Sequence, residues 1–271
     1  MLDLSQSEAK ITRALVHHEA LKAEVARITD EREPYTISGE LDHDTGWFHA
    51  FLTATDEIAD HGLSTIVGDM IHNLRSALDY IVTALVDASP NATLGQSHQF
   101  PIFDDRVTYK SKISDEYHAV PGGWLDGVTV GLQEIWNAQP FHRQAFEDHP
   151  LWIINRLSNA DKHRMLFENW IEIGPTTINV IVPPGEVANV VESVPLPKDI
   201  SLDPQRKIPV SKMRFAPPYP TQVQVEATSP VTVSFGTPPF GRNKSGNAIA
   251  APHLFVLCEY VAKLTDIFKA L

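Results

Sequence analysis

"GLSTIVGDMIHNLRSALDYIVTALVD", residues 62–87, decides the fold. Leu63, Ile66, Val67, Met70, Ile71, Leu74, Leu78, Ile81, Val82 and Leu85 recur at steps of three and four. That period puts one deep apolar stripe along a helix, and other elements must cover it. With Leu74 as reference direction and about 100° per residue, Arg75 lies at about 100°, Asp79 at about 140° and His72 at about 160°. All three lie away from the main stripe. Arg75 and Asp79 are i,i+4 neighbours and can pair, which on a solvated face is worth about 0.2–0.5 kcal/mol. The polar face reads either as a wet surface with one ordinary ion pair or as a functional site.

Upstream, residues 5–29 carry a helical pattern through Ile11, Leu15, Ala20, Leu21 and Val25, with Ser5 or Ser7 as cap. Pro34 blocks its continuation. "YTISGEL" and "WFHAFLTAT" are rich in β-branched and aromatic residues, and "DHDTG" between them is turn chemistry. A β-hairpin is predicted at about 35–55. Downstream, "ASPNATLGQS" ends the long helix, and "HQFPIF", interrupted by Pro101, reads as an extended segment. Residues 124–137 have a helical pattern that stops before Pro140. Asp148 can cap a further helix starting at Pro150 and running through "LWIINRLSNADKHRMLFE" to about residue 168.

The character changes after that. "INVIVPPG", "VANVVESV", "KIPVSKMRF", "QVQVEA" and "VTVSF" are Val-rich or alternating runs broken by Pro and Gly, which is the pattern of strands. "GTPPFGRNKSGN" reads as a loop. Residues 251–270 form an amphipathic closing helix through Leu254, Leu257, Tyr260, Val261, Leu264 and Phe268. Segregated helices and strands predict an α+β fold. The expected organisation is a mainly helical bundle over 1–169 with the hairpin at 35–55, a β-rich portion over 170–249, and a closing helix over 250–271 that packs back on the bundle.

Composition narrows the function classes. The chain has 271 residues, 43% of them apolar, and a net charge of −12. That balance argues against a broad basic surface for duplex DNA. One cysteine, Cys258, excludes an intrachain disulfide, so a reducing cytoplasm is the expected compartment. "MLDLSQSEAK" has neither the basic nor the apolar region of a signal peptide. No apolar run reaches the roughly 18 residues of a spanning helix, so no membrane partner is expected.

A second polar cluster lies in "NADKHR", residues 159–164. Leu151, Ile154, Leu157 and Met165 build an apolar stripe, and Asp161 falls inside it, at about −20° from Ile154. A carboxylate on a core-facing stripe must be paired or hydrogen-bonded. Arg164, Arg75 and His72 are candidate partners. The arrangement reads as a buried bridge that docks two helices, or as a site.

"GDMIHNLRSALDYIV", "FPIF", "QPFHR" and "HPLWIINRLSNADKHR", in that order, resemble a widespread bacterial family of uncharacterised proteins over roughly residues 60–168. "RSALDY" and "RLSNADKH" also resemble the Arg-spacer-His signature of HEPN domains, small helical bundles that are often dimeric. Many of them are metal-independent ribonucleases. Tyr80 stands where the signature's first form has His, while Arg156 and His163 fit its spacing. The resemblance implies RNA as substrate or partner, and a homodimer.

RNA cleavage by a 2′-hydroxyl needs a proton-transfer group and cationic stabilisation of the phosphorane. The candidate catalytic residues are therefore His72, Arg75, Asp79, Asp161 and His163. Asn73, Arg156, Asn159, Lys162 and Arg164 are the candidate substrate-binding residues. His72, Asp79, Asp161 and His163 are also the residue types of a zinc or manganese site. No cofactor and no resident metal are expected, because HExxH, GxxxxGK[ST] and GxGxxG are all missing. Three readings follow: a HEPN-like RNA-cleaving or RNA-binding protein, a non-catalytic helical interaction or dimerisation module, and a metal-dependent hydrolase.

Overall fold

The computed structural model describes residues 2–28, 35–54, 61–92, 99–162, 168–173, 177–195, 200–201, 207–228, 231–236 and 249–271. The chain is mixed α and β, and its strands pair antiparallel. It divides into a helical unit, Met1–Lys22, His61–Phe167 and Pro252–Leu271, and a β-rich unit, Ala23–Asp60 and Glu168–Ala251.

The helical unit is built on α1 (Ser5–Ala26), α2 (His61–Asp87), α3 (Arg106–Lys112), α4 (Leu132–Asn137), α5 (Pro150–Lys162) and α6 (Leu254–Lys269). The stripe of α2 is buried as its period requires: Leu63, Val67, Met70, Ile71, Leu74, Leu78, Ile81 and Leu85 are all inaccessible. Helices α2, α5 and α6 pack against one another. Helix α1 lies antiparallel along α6. Ser7 meets the Thr265 hydroxyl, Glu8 pairs with Lys269, and the His18 ring lies 5.2 Å from the Phe255 ring, tilted against it. The closing helix is thus part of the helical unit.

One helix differs from expectation in where it starts. The pattern over 124–137 becomes helical only at Leu132. Gly122, Gly127 and Gly131 all have positive φ, and turns occupy the stretch before α4. At Gly131 (φ 75°) a Cβ would lie 2.6 Å from a Leu85 methyl, so only glycine allows α4 to enter so close to α2. Helix α5 is described over Pro150–Lys162 and strand β3 over Glu168–Ile173, and the expected continuation of the helix over 163–167 lies outside the described residues. Helix α3 was not legible beforehand. Its cap is Asp105, whose carboxylate accepts the Thr108 N–H at 2.6 Å.

The β-rich unit contains β1 (Tyr35–Leu41), β2 (Trp47–Ala54), β3, β4 (Thr177–Ile181), β5 (Val190–Pro195), β6 (Ile200–Ser201), β7 (Ile208–Phe215), β8 (Gln224–Thr228), β9 (Val231–Gly236) and β10 (Ile249–Ala250). They form sheets of order β1-β2-β7-β5, β10-β9-β3-β6 and β4-β8. The hairpin expected within the N-terminal helical part is β1–β2, but it belongs to the β-rich unit. Its reason is edge pairing: β2 takes β7 as its second neighbour. Asp42 sets the turn, accepting the Asp44 N–H and the Thr45 hydroxyl, and Gly46 (φ 72°) completes it. Along β2, Phe48, Ala50 and Leu52 are fully buried, while Trp47, His49 and Phe51 face the other way and are half-buried.

Candidate functional site

The polar face of α2 is covered at Arg75, while His72 on the same face is exposed. Residues 99–103 run across it as an extended strap without a neighbouring strand. Side chains stand in for the strand. The Arg75 Nη2 donates to the Phe100 carbonyl at 2.8 Å, and the Phe100 N–H donates to the Asp79 carboxylate at 2.8 Å. Arg75 and Asp79 also pair with each other at 3.2 Å. Gln139, just beyond α4 and fully buried, completes the arrangement. Its amide donates to the Pro101 and Ile135 carbonyls, each at 2.9 Å, and its carbonyl accepts the Phe103 N–H at 3.0 Å. Pro101 has no N–H to satisfy, and these bonds account for the N–H groups of Phe100 and Phe103 and the carbonyls of Phe100 and Pro101.

The wet-face reading of Arg75 and Asp79 is therefore corrected. The pair forms as the i,i+4 spacing predicts, but the Arg75 side chain is only 7% accessible. Burial pushes its pKa down and the Asp79 carboxylate pushes it back up. Its Nη1 has no hydrogen-bond partner among the described residues. Below the strap, the Phe100 ring is buried edge-on to Phe268 at 6.2 Å. Phe103 continues into a ring cluster with Tyr109 and Trp124.

Of the remaining candidates, His72, Asn73, Arg156 and Asn159 have described side chains. His72 is exposed. Asn73 is buried, its amide donating to the Asp69 carbonyl at 2.7 Å and its oxygen accepting from Lys10 at 3.4 Å. The Arg156 guanidinium lies 5.2 Å over the Trp152 ring. Asn159 is exposed. Asp161 and Lys162 end α5 with side chains outside the described residues, and His163 and Arg164 lie outside them altogether. The expected bridge from Asp161 falls outside them too, as does the basic loop "GRNKSG".

Buried His149 and half-buried Tyr260 of α6 meet at the start of α5. His149, rather than Asp148, serves as the side-chain cap: its Nδ1 accepts the Leu151 N–H at 3.2 Å. That fixes the tautomer, with the proton on Nε2 and directed at the Tyr260 hydroxyl 3.4 Å away. Burial pushes the His149 pKa down to about 4, helped by the nearby Arg143 and His142. In the unfolded chain the ring titrates near 6.5. Above that value neither state holds the proton. As the pH falls from 6.5 toward 4, the unfolded chain takes up a proton that the folded chain refuses, so stability falls with pH across this window.

His149→Asn keeps a capping oxygen but removes this titration. In urea unfolding at about pH 7 and about pH 4.5, the stability advantage of wild type over this variant is expected to shrink at the lower pH. A gap that stays constant across the two would contradict the assignment.

Among the described residues no group of three or more His, Cys, Asp or Glu side chains can hold a metal ion. No helix among them is long and apolar enough to cross a membrane. A cleft of about 290 Å³ in the β-rich unit is lined, among the described residues, by Ile181, Val182, Pro183, Pro184, Gln222 and Gln224, none of them titratable. No protein-family model, curated protein or solved structure matches this chain.

Proposed function

We propose that the protein is a non-catalytic binding module whose helical unit is a rigid interaction scaffold. The observation that carries this reading is the employment of Arg75. Its guanidinium serves the Asp79 carboxylate and the Phe100 carbonyl inside a closed, nearly inaccessible contact. A phosphorane could use that fork only after the strap had been stripped from α2. Asp79 is likewise engaged by the Phe100 N–H and is not poised as a base. On the outer surfaces of α1 and α6, Val16, Val256 and Ile267 are each about half exposed, at 51%, 47% and 53%.

The competing HEPN-like ribonuclease reading rests on the resemblance and on His72, His163 and Arg156. The test is ribonuclease activity of the purified full chain in EDTA, beside His72→Ala and His163→Ala with folding checked by circular dichroism. No cleavage of single-stranded or structured RNA is expected from any of the three. EDTA-resistant cleavage by wild type that either folded variant loses would overturn the module reading.

A further inference from the structure

The outward face of the sheet β1-β2-β7-β5 alternates aromatic rings with cations. Trp47, His49 and Phe51 share that face of β2, because side chains two apart point the same way. On β7, Arg214 stands opposite Trp47 and Lys212 opposite His49. The Lys212 ammonium lies 4.0 Å over the Trp47 ring, and the Arg214 guanidinium 5.8 Å from it. Lys207 lies 5.7 Å over Phe51. The His49 and Phe51 rings are nearly parallel, at 13°, with centroids 6.2 Å apart. Acidic neighbours are Glu40, in an exposed pair with Lys207 at 3.0 Å, and Glu192, opposite Arg214.

A hydrophobic interface needs no cations among its rings, and a structural ion-pair network needs no row of half-buried rings. Together they match a different ligand, one with flat apolar faces and regularly spaced negative charges. A chain of net charge −12 that collects three cations around one aromatic row has set that row apart from the rest of its surface. We infer that this face binds single-stranded RNA, its bases stacking on Trp47, His49 and Phe51 and its phosphates meeting Lys207, Lys212 and Arg214.

Trp47 to Phe51 spans about 13 Å, a scale on which sheet aromatics stack two or three bases. A duplex is a poor fit, since its base faces are already stacked inside. RNA differs from single-stranded DNA at such a face by its 2′-hydroxyl, and the oligothymidylate arm of the test separates the two. The Lys207–Glu40 pair is exposed, and such a pair is worth little enough for a phosphate to displace the carboxylate. This inference concerns the β-rich unit and does not depend on the scaffold reading of α2.

The test is fluorescence anisotropy of a labelled oligouridylate of about 12 nucleotides with the full chain in EDTA, at about 50 and about 200 mM salt. Heparin serves as a polyanion without bases, and an oligothymidylate of equal length as the DNA arm. Binding is expected, weaker at the higher salt. Lys212→Ala and Arg214→Ala should each reduce affinity several-fold and flatten the salt dependence. Trp47→Leu should reduce it about tenfold by removing a stacking platform, while leaving heparin binding unchanged. Thermal melting confirms that each variant is folded, and the two cation variants carry the test if Trp47→Leu is not. The inference is overturned by absence of binding, by binding that the cation variants leave intact, or by heparin binding that Trp47→Leu weakens equally. Tighter binding of the oligothymidylate would reassign the face to DNA and overturn it as stated.

Discussion

Arg75→Ala is expected to lower the free energy of unfolding by about 3–5 kcal/mol, the cost of breaking a buried charged pair from one side. The substitution orphans the Phe100 carbonyl and leaves the Asp79 carboxylate without its cation. It also leaves a void where a side chain only 7% accessible had been. A typical domain is stable by about 5–15 kcal/mol, so about a fifth or more of the margin is at stake. Urea unfolding measures it directly. A catalytic arginine on a solvated helix face behaves oppositely, because its removal costs activity and leaves stability within about 0.5 kcal/mol. An Arg75→Ala protein as stable as wild type would therefore remove Arg75 from the scaffold.

Phe100→Ala is expected to cost about 3–5 kcal/mol as well, through the cavity left under the strap. Phe100 is fully buried and meets Phe268 of α6 edge-on, so its ring ties the strap to the core while Arg75 and Asp79 hold its backbone. The two effects should not add. Either substitution alone releases the segment, after which the other has less to lose, so the double variant should fall well short of the sum. Full additivity in urea unfolding would mean that ring and backbone are held independently, and the cooperative strap would be wrong.

The sequence made α2 legible because its apolar steps are unbroken over its whole length, and the core of the helical unit follows them. The strand-rich C-terminal half was legible from alternation and Pro/Gly breaks. The i,i+4 pairing of Arg75 with Asp79 was legible too, but its environment was not. A helical wheel shows which direction a residue faces, not whether a coil segment lies there. Two signals pointed to the strap: "FPIF" is too apolar to lie in water, and Pro101 removes a donor that a sheet would need. Gln139 gave no periodic signal, because it sits just past α4 and acts through one side chain on two segments. The cation–aromatic face emerges only from the β2–β7 register, since more than 150 residues of chain separate the two strands.

Amide hydrogen exchange at Phe100 and Phe103, compared between wild type and Arg75→Ala, tests the strap most directly. Both N–H groups end on buried or half-buried side chains, Asp79 and Gln139, so in wild type they should exchange as slowly as the amides in the middle of α2. In Arg75→Ala the Phe100 amide should speed up by orders of magnitude, while the α2 amides change only by the global loss of stability. Exchange of the wild-type Phe100 amide at the rate of an unstructured chain would contradict the claim. It would leave Arg75 available for chemistry.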